Sequence, residues 1–333
     1  MYNSMNLEEI KKLYTQALVW DAHAGVFPNH EIDLTLLNEW RKNSVNYVSI
    51  NVGFDVMSMN QTLETLAAYR NWVLKNNDLF VLACNMGDVV IAKKEGKLAV
   101  AFDIEGMNAL NGNINMLSLY HGLGVRQMLF AYNLNNKAAG GCHDTDIGLS
   151  TFGKTIVKEM NRVGIIIDCS HAGLKTTMDI MAHSTKPVVF SHSNPKTICE
   201  HQRNITDDQI KACAKTGGVI GINGMGIFLG NNDINTHRIV RHICYISELV
   251  GSEHVGIGFD YSPQLDIDVS AILATRPDFW PPGQSYDTPD IKHAGPSQIV
   301  DIAAVLTGIG FKTNEVEGIL GKNFQRVASI VWQ

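Results

Sequence analysis

The sequence predicts a (β/α)8 TIM barrel within the α/β class. Three observations carry that prediction: eight short apolar runs rich in Val and Ile, amphipathic stretches between them, and reactive side chains gathered where the runs end. Continuous apolar runs suit strands covered on both faces, which means a parallel sheet. Such a barrel draws its catalytic groups from the C-terminal ends of many strands. A doubly wound open sheet would gather them at one switch point instead.

The runs are Ala17–Asp21, Val45–Asn51, Leu98–Glu105, Arg126–Asn133, Ile165–His171, Val188–Ser193, Val219–Asn223 and Val255–Asp260. Leu79–Ala83 offers a ninth. Between them, Gln61–Lys75 has helical periodicity, and Thr155–Arg162 sets Ile156 and Met160 on one face with Val163. Thr206 and Gln209 form a capping box that opens a helix through Lys215, which Gly217 and Gly218 stop. Two helices, about Pro296–Gly308 and Thr313–Val331, close the chain. With a short polar helix at the start and no linker or repeat to divide it, residues 1–333 read as one barrel domain.

Composition narrows the function. The 333 residues are 45% hydrophobic and 18% charged, as in globular proteins. A net charge of −6 with no Lys/Arg block argues against nucleic acid or an anionic membrane as partner. No run approaches the roughly 18 apolar residues of a membrane span. The opening MYNSMNLEEIKKLYTQ lacks the apolar core of a signal peptide, and the six cysteines are scattered without a C-x-x-C pair. Reduced thiols in a cytoplasmic protein are the expectation.

The strand ends supply a candidate metal site. His23 follows the first run, and Glu105 ends the third just before a glycine. A carboxylate so placed is costly to bury unless it is paired or bound to metal. His171 and His192 end consecutive runs, each directly after a serine. Neutral imidazoles with a carboxylate suit zinc and related borderline metals. A Ser/His/Asp triad competes weakly, because no G-x-S-x-G elbow is present. Asp260, on the last run, offers a general base for metal-activated water, or another ligand. Arg203 could clamp a carboxylate in bidentate fashion or simply be an exposed arginine. His30, His121, His201, His237, His242, His254 and His293 read as surface or packing residues, whereas His143 and His183 are left open.

With these residues in line, the chain resembles the membrane (renal-type) dipeptidase family, peptidase family M19. The most specific stretch runs from Gly124 to Arg203: GVRQMLFAYN, GLSTFGKTIVKEMNRVGIIIDCSH, KPVVFSHS and HQRN; VGIGFDY and GKNFQRV also match. The resemblance implies a zinc-dependent dipeptidase, usually a homodimer, on an amidohydrolase-like barrel. One metal would be held by His171, His192 and Glu105. A second would be held by His23, Glu105 and an aspartate two residues after the histidine. Arg203 would bind the substrate carboxylate, and Asp260 would manage the proton of the attacking water.

Two positions depart from the family pattern. Gly25 stands where the aspartate is expected, so the second metal loses a charged ligand. Tyr132 stands where a histidine binds the scissile carbonyl; a phenol can still donate a hydrogen bond to an oxyanion. The expected function is therefore zinc-dependent hydrolysis of dipeptides or related small amides, with Asp260, Glu105 and Tyr132 in catalysis. Tyr132 and the aromatic loop Asp278–Pro282 also motivate hydrolysis of a different amide. Gly25 motivates a non-catalytic binding barrel, although Glu105, Asp260 and Arg203 weigh against it.

Overall fold

A computed structural model describes residues 6–263 and 275–332. Among these residues nine strands form one parallel sheet: β1 Trp20–Ala24, β2 Tyr47–Phe54, β3 Phe80–Leu82, β4 Leu98–Glu105, β5 Val125–Leu129, β6 Ile166–Asp168, β7 Val188–Phe190, β8 Val219–Ile222 and β9 Val255–Ile257. Eight follow the path β1-β2-β4-β5-β6-β7-β8-β9 and form a nearly closed barrel. Leu79–Ala83 does supply a strand, but β3 lies off that path. It pairs with the first half of β4, while β5 pairs with the second half.

Closure between β9 and β1 is made by single bonds. The Asp260 amide donates to the His23 carbonyl at 3.0 Å, and the Phe259 amide donates to Asp21 Oδ1 at 3.0 Å. Asp21 Oδ2 also accepts from Trp40 Nε1 at 2.8 Å. Asp21 is therefore structural: fully buried, its carboxylate joins the first strand to the segment after the last.

Most ladders stop before the reactive residues. β5, β6, β7 and β9 end short of Tyr132, His171, His192 and Asp260. The Asp168 side chain explains two of these endings. It accepts the amides of Ser170 and Ser191, which turns both chains out of the sheet. β1 differs from expectation in the other direction, running through His23 instead of stopping at Asp21.

Alternation along the strands sends one set of side chains inward. Trp20, Ala22, Tyr47, Ala99, Ala101, Ile166, Val189 and Val219 form a buried cluster with Phe324 of the last helix and Trp332 just after it. Trp20 stacks on Tyr47 with ring centroids 3.6 Å apart. This packing fills one end of the barrel and leaves chemistry to the other. The larger apolar cluster lies between strands and helices.

The helices obey their caps. Ser58 and Gln61 form a capping box, so that helix begins at Met59, two residues before the expected start. Thr206 and Gln209 form the expected one. The final helix is broken: Thr313–Glu317 and Asn323–Val331 flank a wider turn at Gly318–Lys322. Gly321 lies so close to the Leu18 carbonyl that a Cβ would collide with it. No helix among the described residues is long and apolar enough to cross a membrane.

Asp21→Ala should cost about 2 to 4 kcal/mol, because it leaves two buried donors unpaired at the seam. Urea unfolding measures this, and an unchanged midpoint would deny Asp21 its closing role.

Candidate metal centre

Three imidazoles converge on one carboxylate oxygen. Glu105 Oε1 lies 3.5 Å from His23 Nε2, 3.5 Å from His171 Nε2 and 3.4 Å from His192 Nε2. That oxygen is buried and receives no hydrogen bond. The other oxygen, Oε2, accepts from Asn51 Nδ2 at 2.7 Å. Asn51 is itself oriented by the Gly53 amide, which donates to its Oδ1 at 2.8 Å.

The far nitrogens fix which face each ring presents. Asn133 Nδ2 donates to the Phe279 carbonyl at 2.8 Å, so its Oδ1 must face His171 Nδ1, 2.6 Å away. His171 Nδ1 therefore carries the hydrogen, and Nε2 presents a lone pair. His23 Nδ1 faces Asp103 Oδ2 at 3.2 Å, which also accepts from Ser49 Oγ at 2.6 Å. His192 Nδ1 pairs with the Ser191 hydroxyl at 2.6 Å. His171 Nε2 and His192 Nε2 lie 3.1 Å apart. Two imidazole nitrogens held this close beside an orphaned carboxylate oxygen fit a metal cation, and the outward partners match the supports that metal-binding histidines need.

Two groups of residues offer ligand atoms within 4.8 Å of one another: Glu105 with His171 and His192, and His23 with His192 and Asp260. The second contains no residue 25. A Cβ added at Gly25 would lie 2.5 Å from Asp260 Oδ1 and 2.8 Å from its carbonyl oxygen. The Asp260 carboxylate thus fills the space in which a side chain at position 25 would begin. Asp260 Oδ2 accepts from Asn223 Nδ2 at 3.1 Å, and Oδ1 lies 3.5 Å from His23 Nε2.

Backbone conformation adds to this placement. His171, Asp260 and Asn133 have φ of 63°, 54° and 60°, in the left-handed region that side chains rarely adopt. Asn, Asp and His are the side chains that adopt this region most readily, so the centre uses the residue types that its turns require.

The remaining expected site residues fall nearby. Tyr132 stacks on His171 with centroids 4.3 Å apart, and its hydroxyl accepts from Trp280 Nε1 at 3.3 Å. Its own hydrogen stays available for donation. Arg203 is buried rather than exposed: its terminal nitrogens donate to Ser193 Oγ at 3.0 Å and the His192 carbonyl at 2.9 Å. It lines a neighbouring cavity with Cys142 and His171. His201, expected as a surface or packing residue, accepts the Arg203 amide through Nδ1 at 3.0 Å. His293, placed in the same class, instead lines the cavity that Glu105, His171 and Asp260 also line. Asn51, Asn133 and Asn223 were not singled out from sequence. Each ends an apolar run, the same position that marks the ligands, and this was the signal that could have found them. The six cysteines are unpaired.

Charge in this pocket follows burial. Burial pushes the Glu105 carboxyl up to about 8, with His23 opposing and Asp260 and Asp103 adding. Burial also holds the His171 and His192 imidazoles well below their usual range, helped by the charges of Arg203 and His23. At His23 burial acts downward but is outweighed by Asp103 and Glu105, so the net shift is well upward. At Asp260 burial is outweighed by the hydrogen bond and charge of His23, so it stays ionised below its ordinary value. Burial lifts the Tyr132 hydroxyl well above its ordinary range, so it remains a neutral donor.

Known proteins resemble this chain in sequence and fold. The family model described as membrane dipeptidase, peptidase family M19, matches residues 4–269. The chain belongs to the M19 family. An uncharacterised dipeptidase of Schizosaccharomyces pombe is 33% identical over 227 residues, covering 65% of this chain and 54% of that protein. The chain therefore matches only about half the length of that relative. An amidohydrolase from Pseudomonas aeruginosa superposes with a TM-score of 0.89 at 27% identity, covering 97% of this chain and 99% of that one. A metallopeptidase from Rhodobacter sphaeroides, solved with a phosphinate mimic of L-Ala-D-Ala, has the same fold, with a TM-score of 0.75 at 18% identity and coverage of 95% and 99%.

A pH dependence follows for the metal-free protein. Glu105 and His23 both have raised values in the folded state, so the stability they contribute is lost as pH rises through those values. His171 and His192 act oppositely, but mainly below about pH 6.5, where the unfolded imidazoles gain protons. The melting temperature of metal-free protein should fall from about pH 7 to about pH 8, and added zinc should abolish the fall. A scanning-calorimetry series that is flat or rising without metal would contradict these shifts.

Proposed function

We propose that this M19 chain is a zinc-dependent hydrolase of dipeptides and related small amides. The observation that carries the reading is the buried Glu105 oxygen that faces three imidazole Nε2 atoms and has no hydrogen-bond partner. Glu105, His171 and His192 would hold the zinc. A zinc so held supplies Lewis acidity toward the scissile carbonyl and lowers the pKa of water at an open position.

The chain's own residues supply the rest. Asp260, ionised and anchored by Asn223, accepts the proton of the attacking water at its carboxylate. Tyr132 donates its hydroxyl hydrogen toward the oxyanion while Trp280 steadies the oxygen. Asn51, Asn133 and Asp103 keep the ligand set oriented, so little reorganisation accompanies the reaction. Arg203 fixes the His192 carbonyl and Ser193, which positions the ligand loop. Each terminal nitrogen of Arg203 keeps a second N–H beyond these bonds, and these would supply any further contact toward a substrate carboxylate.

One zinc per chain fits these residues better than two. Both candidate groups need His192, whose Nδ1 is engaged by Ser191, and its Nε2 has one lone pair to give. Gly25 supplies nothing, and Asp260 fills the space beside it. A cytoplasmic homodimer completes the reading, supported by the family resemblance and the unpaired thiols. Light scattering tests the dimer.

Elemental analysis should find about one zinc per chain, lost in His171→Ala. Dialysis against a chelator should abolish dipeptide hydrolysis, and zinc should restore it. Full activity in demonstrably metal-free protein sinks the proposal. Asp260→Asn should lower kcat about 100- to 10,000-fold while retaining the zinc. A variant with unchanged kcat would remove Asp260 from the proton path.

A further inference from the structure

Arg203 is held at two ends, and each end has its own support. Its guanidinium grips Ser193 Oγ and the His192 carbonyl. Its backbone amide donates to His201 Nδ1 at 3.0 Å. His201 Nε2 donates in turn to the Gln284 carbonyl at 2.8 Å. These partners leave one tautomer. A ring nitrogen facing an N–H offers its lone pair, and one facing a carbonyl carries the hydrogen. Burial holds the His201 imidazole below its ordinary value, which keeps Nδ1 free of a proton.

The rings around His201 hold its plane. It meets Phe228 with centroids 4.8 Å apart at 68°, and Tyr286 at 6.1 Å and 88°. Rings in such edge-to-face contact support one another. The Tyr286 hydroxyl pairs with His143 Nε2 at 2.8 Å, and His143 Nδ1 faces Gln202 Oε1 at 3.0 Å. Two histidines therefore fasten residues 284–286 to the segment that carries Arg203. Phe228 and Tyr286 also line the cavity shared with Glu105, His171 and Asp260, and the Arg203 guanidinium carbon lies 5.9 Å from the Phe228 centroid. One other bond crosses the turn, from the Asn204 amide to the His201 carbonyl at 3.1 Å, but it does not involve Arg203. A guanidinium reads a carboxylate with a rigid planar fork, so a small displacement of its backbone costs binding.

We propose that His201 is a positioning residue for recognition of the substrate carboxylate: its ring, oriented by the Gln284 carbonyl, holds the Arg203 backbone so that the remaining N–H groups of the guanidinium meet that carboxylate. This rests on the hydrolase reading and on the part Arg203 plays in it. His201 acts through Arg203 and touches no reacting atom. Its two bonds divide the work, since the Gln284 carbonyl aims the ring and the Nδ1 lone pair holds the arginine.

The test compares Ala-Ala with its carboxamide on zinc-loaded enzyme, with phosphinate mimics of both as binding probes. The carboxamide lacks the terminal charge, so the ratio of kcat/KM between the two compounds reports on Arg203 rather than on the metal or the fold. His201→Ala should raise KM for Ala-Ala about tenfold, with kcat within about threefold and the zinc retained. KM for the carboxamide should stay nearly constant, so the ratio falls by a similar factor. His201→Asn should recover most of the ratio, because an asparagine side-chain carbonyl accepts the amide two residues on. If His201→Ala does not fold, His201→Leu, which keeps the bulk, takes its place. An equal loss on both compounds, a loss in kcat alone, an unmoved ratio, or no recovery in His201→Asn overturns the positioning role and leaves the hydrolase reading standing. If neither compound is hydrolysed, yet the acid mimic binds the unaltered protein more tightly than the carboxamide mimic and His201→Ala erases that margin, the positioning role stands and the hydrolase reading falls. If the unaltered protein binds both mimics equally, the role of His201 falls whatever the turnover.

Discussion

A single oxygen atom sets the terms for the rest of this molecule. Glu105 Oε1 is buried among three imidazole nitrogens and receives no hydrogen bond from protein. In a protein interior an unpartnered carboxylate oxygen is expensive, so the surroundings must either protonate it or bring a cation to it. The neighbours do both. They raise its proton affinity when no cation is present, and they aim lone pairs at the place a cation would take.

Holding those lone pairs on target needs the whole barrel. β1 carries His23, β4 carries Asp103 and Glu105, and the segments after β6 and β7 carry His171 and His192. Each histidine is steadied from a different strand end: Asp103 for His23, Asn133 for His171, Ser191 for His192. Asp168 ends two ladders at once, and Asp21 ties the seam. Buried carboxylates serve here as the joints at which strands stop and loops begin. Their desolvation is offset by two or three donors each.

Much of this was legible in the sequence, for a definite reason. A buried parallel strand must be continuously apolar, so a charged or imidazole side chain at its end stands out. Glu105, His171, His192 and Asp260 could be read that way, and the chain's likeness to M19 proteins gave the residues their roles. The pattern also exposed the gap at Gly25. It could not show that Asp260 fills that gap, because the two residues are 235 positions apart and meet only when β9 closes on β1. For Arg203 the sequence left an exposed side chain open beside the carboxylate clamp, because burial of a long cation depends on partners that sequence does not display. His293 was missed for a similar reason: it reaches the pocket from an irregular loop with no periodicity to mark it. The aspect most open to sequence was the type of each strand; its length was less so, since ladder endings depend on side-chain acceptors such as Asp168.

The Asn133 side chain has two ends, and each is spoken for. Its carbonyl orients His171, and its amino group holds the loop on which Trp280 stands. Neither bond can shift without the other, because one planar amide makes both. The reaction centre and the aromatic loop are therefore mechanically one body, hinged on a single asparagine with a left-handed backbone. Thermodynamic reciprocity then applies: whatever a ligand gains by pressing on the loop is felt at the histidine, and whatever a metal gains by straightening the histidine is felt at the loop. A substitution that removes the Asn133 amide would therefore take a support from the histidine and from the aromatic loop at once.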